Sequence, residues 1–71
     1  MINKCQIVLC IYDALLKEGE LLMDSVLAEF NISSRTFRRY ISEINSFLYN
    51  NYKNQVVKYS KLTNKYKLVK M

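Results

Sequence analysis

No proline and no histidine occur in this chain, and glycine occurs once, at Gly19. Without the two residues that most often break regular backbone, most of the chain is expected in helices and strands. Without histidine there is no imidazole for proton transfer or metal ligation, and one glycine cannot build a phosphate-cradling loop. Ser33 and Ser34 stand near arginines but have no general base close by in the sequence, so catalysis is not expected. Cys5 and Cys10 are the only cysteines. Five residues apart on a helix, they lie too far round from each other for a disulfide, and they read as two small apolar residues in a reducing cytosol. No metal and no cofactor is implied. No apolar run approaches the length of a membrane span, and the N-terminus, with one lysine and an early helix, lacks the form of a signal peptide. The expected location is the cytoplasm.

What the chain does have is segregated charge. Residues 1–30 carry two lysines against five carboxylates, a balance of −3, whereas residues 31–71 carry nine cations against Glu43 alone, a balance of +8. The overall +5 therefore hides an acidic half and a strongly basic half. Such a gradient orients a protein on a polyanion and gains from the counterions released at each neutralised phosphate. An anionic membrane surface would want lysines around an apolar helix face, and here the lysines sit in a strand-like tail. The 71 residues make one domain, small enough for its stability to be marginal.

Residues 4–18 are predicted to form the first helix. Ile7, Val8, Ile11, Ala14 and Leu15 make its buried face, and Gly19 is placed to end it in the left-handed conformation. A second apolar stripe, Leu9, Tyr12 and Leu16, occupies a neighbouring arc; it reads either as a further buried side, where a small domain wraps more than one side of a central helix, or as a dimer or partner surface. Residues 20–22 suggest a short strand. A second helix over residues 24–30 begins with Asp24 at its positive end and buries Val26, Leu27 and Phe30, with Ala28 small enough to admit another helix. Asn31, Ile32 and Ser33 then form a tight turn, in which asparagine tolerates a left-handed backbone and Ile32 plugs the gap between helices.

The third helix, over residues 34–49, organises the rest. Ser33 is its natural N-cap. Phe37, Ile41, Ile44 and Leu48 recur at intervals of four, three and four and fall within about 60° of arc, a stripe made for a core. Arg35, Arg38, Arg39 and Ser42 fall together on a different arc of about 100° without a large apolar residue. A helix buried on one side and bearing guanidiniums on another suits a DNA major groove. The asparagine-rich stretch 49–54 reads as a loop, and residues 55–70 as a β-hairpin. Its last strand alternates Tyr66 and Leu68 on one side with Lys65 and Lys67 on the other. The fold class expected is thus α+β, mainly α: a three-helix winged helix-turn-helix with a C-terminal hairpin wing.

The run Leu27-Ala28-Glu29-Phe30-Asn31-Ile32-Ser33-Ser34-Arg35-Thr36-Phe37-Arg38-Arg39-Tyr40-Ile41, with Lys65-Tyr66-Lys67-Leu68 echoing a wing, resembles the N-terminal domain of bacterial DeoR-like regulators, particularly those carrying a WYL effector domain. The resemblance spans essentially the whole chain, although only the central run is specific. It implies a sequence-specific transcriptional regulator. Three departures stand out: Asn31 replaces the turn glycine, Tyr40 replaces an acid after the arginines, and no effector-binding part is present. The chain is then either a fragment of a longer regulator or a free-standing module, and ligand sensing is not carried over.

The expected partner is double-stranded DNA. Arg35 and Arg38 are assigned to base edges, Ser34, Thr36 and Arg39 mainly to phosphates, and Ser42 to the border of the groove. Lys58, Lys61, Lys65 and Lys67 are assigned to the backbone or minor groove. A protein-interaction winged helix using the Leu9, Tyr12 and Leu16 stripe, as a homodimer or with another partner, is the alternative from a different class. Single-stranded RNA, stacking on some of the six tyrosines, is a minor third.

Overall fold

The computed structural model describes residues 3–51 and 54–70. Helix α1 spans Lys4–Glu18, a two-residue strand β1 spans Glu20–Leu21, α2 spans Met23–Phe30, α3 spans Ser34–Asn50, β2 spans Gln55–Ser60 and β3 spans Lys65–Lys70. The three strands form one antiparallel sheet in the order β1-β3-β2, so the strand latest in sequence lies at the centre. The architecture is therefore α+β and mainly helical. No helix is long and apolar enough to cross a membrane, among the described residues.

Five of the six helix ends have a local cause, the exception being the start of α2, where Leu22 offers no side-chain cap. Asn3 caps α1 in a reciprocal box: its side chain accepts from the Gln6 amide at 3.0 Å, and the Gln6 side chain accepts from the Asn3 amide at 3.2 Å. Gly19 ends α1 at φ +78°, its N–H donating to Leu15 O at 2.8 Å. Its own carbonyl then accepts from the Leu68 amide at 3.0 Å, so the residue that stops the helix also ties it to β3. Asn31 adopts the left-handed conformation at φ 54° between α2 and α3. Ser33 caps α3 through the Thr36 amide at 3.1 Å. The third helix runs to Asn50, one residue beyond the expected end, because Asn51 closes it with both its amide and its side chain on Phe47 O. Of the loop expected over 49–54, Tyr52 and Lys53 lie outside the described residues.

The core is assembled from five elements. Ile7, Ile11 and Leu15 of α1 meet Phe37, Ile41, Ile44 and Leu48 of α3, and Leu21, Val26 and Val57 close the edges. Burying each such side chain contributes about 1.5–3 kcal/mol. Phe37 is fully buried and meets Tyr66 of β3 edge-to-face at 5.0 Å, which fastens helix to sheet. Ile32 does fill the turn between α2 and α3, half-buried against this core.

Three expectations are corrected. Ala28 is exposed and no helix crosses over it, because Val26, Leu27 and Phe30 turn the opposite side of α2 inward. Leu27 and Phe30 are half-buried rather than fully buried, since they sit at the rim of a small core. Tyr12 does not stand outward with Leu9 and Leu16; it leans onto Phe47 of α3 and is half-buried there.

Candidate nucleic-acid interface

The basic residues assigned to DNA fall on two surfaces. On α3 the apolar stripe turned to the core leaves Arg35, Arg38, Arg39 and Ser42 together on the exposed side. None of the three guanidiniums forms an ion pair among the described residues. The helix start beside them is rigid: the Ser33 hydroxyl also donates to Thr36 Oγ1 at 3.0 Å. That contact engages Thr36, half-buried like Ser34, in the cap. Arg35 therefore projects from a fixed first turn, close to the amides that the helix start leaves unpaired. Tyr49, 74% exposed, continues the same side of the helix toward its C-terminal end.

The second surface is the sheet. Val57, Tyr66 and Leu68 face the helices, so alternation turns Lys58, Lys65 and Lys67 to the opposite face. There Lys58 lies directly across from Lys67, which lies across from Glu20. Glu20 contacts two of these lysines, Lys65 Nζ at 2.8 Å and Lys67 Nζ at 3.8 Å. The hydrogen bond from Lys65 holds the Glu20 carboxyl below the ordinary glutamate pKa, helped by the charges of Lys65 and Lys67 against a smaller opposing desolvation. Lys65 and Lys67 are thus half-buried and engaged, whereas Lys58 and Lys61 are exposed and make no ion pair among the described residues.

The hairpin end is fixed from within. Tyr59 Oη donates to Asn64 Oδ1 at 2.8 Å, and Asn64 takes the left-handed conformation that the turn requires. Tyr59 also stacks at a tilt on Tyr66, 5.2 Å away. This turn holds Lys61 and the almost wholly exposed Leu62 at its tip.

Charge of the other sign collects elsewhere. An open groove of about 660 Å³ between α1, β1 and α2 is bordered by Glu18 and Glu29 and by Glu20 with its partner Lys65. Glu18 and Glu29 form no ion pair among the described residues, so this groove is a less favourable side for a phosphate than α3 or the hairpin. No group of residues with metal-ligand character occurs among the described residues.

Two participants were not singled out by the sequence reading. Asn45 accepts from the Val57 amide at 2.7 Å and donates to the Val57 carbonyl at 3.2 Å, so it clamps β2 to α3. Glu20 decides which lysines are free. No known protein family, characterised protein or solved structure matched the chain on comparison.

Proposed function

We propose that the chain is a winged helix-turn-helix that binds double-stranded DNA with sequence preference and acts as a transcriptional regulator or as the DNA-binding domain of one. The observation that carries this reading is the α3 surface: three guanidiniums and Ser42 exposed together, without ion pairs among the described residues, on a helix whose other side is anchored in the core. The resemblance of residues 27–41 to DeoR-like regulators points the same way.

In this reading α3 enters the major groove, where Arg35 and Arg38 take base edges and a bidentate contact to guanine suits either. Arg39 and Ser42 lie toward the phosphates, with Ser34 and Thr36 contributing mainly as parts of the helix start. Lys58 and Lys61 follow the DNA backbone, and Leu62 at the hairpin tip rests against the sugar wall of the minor groove. Lys65 and Lys67 contribute only to the extent that a phosphate displaces Glu20.

The test is fluorescence anisotropy with a random duplex and with a duplex pool selected for binding. Arg38→Ala is expected to cost about 1–3 kcal/mol on the selected pool and to relax preference at one base pair. Lys58→Ala is expected to weaken both duplexes alike and to make the salt slope shallower by about 1. Absence of duplex binding by the parent protein at low salt would overturn the reading.

A further inference from the structure

Cys5, Leu9, Tyr12 and Leu16 follow one another along α1 at intervals of four, three and four, with Cys5, Leu9 and Leu16 exposed and Tyr12 half-buried between them and Phe47. That spacing gathers them within about 60° of arc. Leu9 is 65% and Leu16 53% exposed, and Cys5 is exposed as well. Phe47 of α3, 46% exposed, widens the patch by meeting Tyr12 edge-on at 6.0 Å. No charged residue falls on this arc. The charges along its rim are paired, Asp13 with Lys17 and Lys4 with Glu43, each at 3.1 Å. An uncharged seam at this spacing with a polar rim is what one helix offers another.

We propose that the seam pairs with the same seam of a second copy of this chain, the two α1 helices running antiparallel about a two-fold axis. Four-three-four reads the same in both directions, so a reversed copy meets it in register. Cys5 then lies opposite Leu16 of the second copy, and Leu9 opposite its Tyr12. Each pair sets a smaller side chain against a larger one, whereas a parallel copy would set Tyr12 on Tyr12 and Cys5 on Cys5. The antiparallel arrangement also places the helix dipoles head to tail. A charged partner, nucleic acid included, finds nothing to complement on a seam whose rim is already neutral, and an identical neutral seam does.

The strength of the pairing follows from its size. The exposed parts of Leu9, Leu16, Phe47, Cys5 and Tyr12 amount to on the order of 400 Å² per copy, about half of what each partner contributes to a stable interface. The pairing is therefore weak and rises with concentration.

Sedimentation equilibrium without DNA tests it. The mean mass is expected near the monomer's 8.5 kDa at low concentration and climbing toward twice that value as concentration rises to about 1 mM. Combining Leu9→Glu with Leu16→Glu should hold the protein at the monomer mass throughout. Both positions are exposed, so its circular dichroism should match that of the parent. Arg38→Ala should associate like the parent. For the register, Leu16→Cys in a Cys10→Ser background should, under mild oxidation, join Cys5 of one copy to the introduced thiol of the other. A parent that stays monomeric at the highest concentration, a double variant that still associates, or a bond from Cys5 to Cys5 would each overturn the proposal. Because no DNA is present, a failure here leaves the DNA reading standing, and absence of duplex binding leaves this proposal standing.

Discussion

Glu20 holds two lysines with one carboxylate, and its substitution separates charge from shape. The folded protein binds the Glu20 proton less readily than the unfolded chain does, because Lys65 donates to the ionised form. The contribution of the pair is therefore complete above the ordinary glutamate pKa of about 4.3 and is lost as pH falls through the lower folded value. Glu20→Gln should accordingly unfold at a lower temperature than the parent at neutral pH, with the difference shrinking as pH falls through the lowered folded pKa of Glu20; a gap that does not shrink in acid would show that charge is not its origin. The same variant releases Lys65 and Lys67, so it should bind duplex more tightly than the parent and with a steeper salt dependence. Unchanged binding would mean that the two lysines never reach phosphate. Several single residues were legible without coordinates: Gly19 and Asn31 as left-handed residues, and Ser33 as a cap, all act within four positions of themselves. Glu20 was not, because its partners lie some 45 residues away and meet it only when the sheet forms.

At the scale of elements, the joint between α3 and β2 sets where the hairpin stands relative to the arginines. Strand β2 lies at the sheet edge, and Asn45 satisfies both the N–H and the C=O of Val57 that would otherwise face outward unpaired. Asn45→Ala should cost about 1–2 kcal/mol, lowering the Tm by about 5–15 °C for a domain of this size. It should also speed hydrogen exchange at the Val57 amide relative to Phe37. Exchange that stays slow at Val57 would show that the strand is held by other means. The bounds of α1, α2 and α3 could be read closely from periodicity and caps, since both signals are local. Asn45 could not, because an asparagine inside a helix reads only as a weak helix former until a strand is known to pass beside it. Likewise the alternation of Lys65, Tyr66, Lys67 and Leu68 gave the correct faces of β3 but was silent on β1 as its neighbour.

For the whole molecule the division of charge outweighs any one contact. Glu18, Asp24 and Glu29 form no ion pairs among the described residues, and Arg35, Arg38, Arg39, Lys58 and Lys61 form none either. If those five cations each neutralise a phosphate, the salt slope should be about −4.5, so that raising salt from about 50 to about 200 mM weakens duplex binding roughly 500-fold. A slope near −1 would show that α3 and the hairpin do not engage the duplex together. This polarity was visible in the sequence as a shift in sign near residue 30. That the basic half is itself divided, with arginines on α3 and strand lysines on the outer face of the sheet, became visible only with the fold.

The strand order has a consequence in time. β3 lies between two strands that both precede it, and β1 has no other neighbour in the sheet. The three helices can gather as soon as residue 50 is available, but β1 waits for residues more than forty positions further along to close a loop of that length. The sheet therefore closes last. A growing chain carries an anchored arginine helix before it carries a hairpin, and the lysines of β3 meet the glutamate that restrains them as soon as they join the sheet.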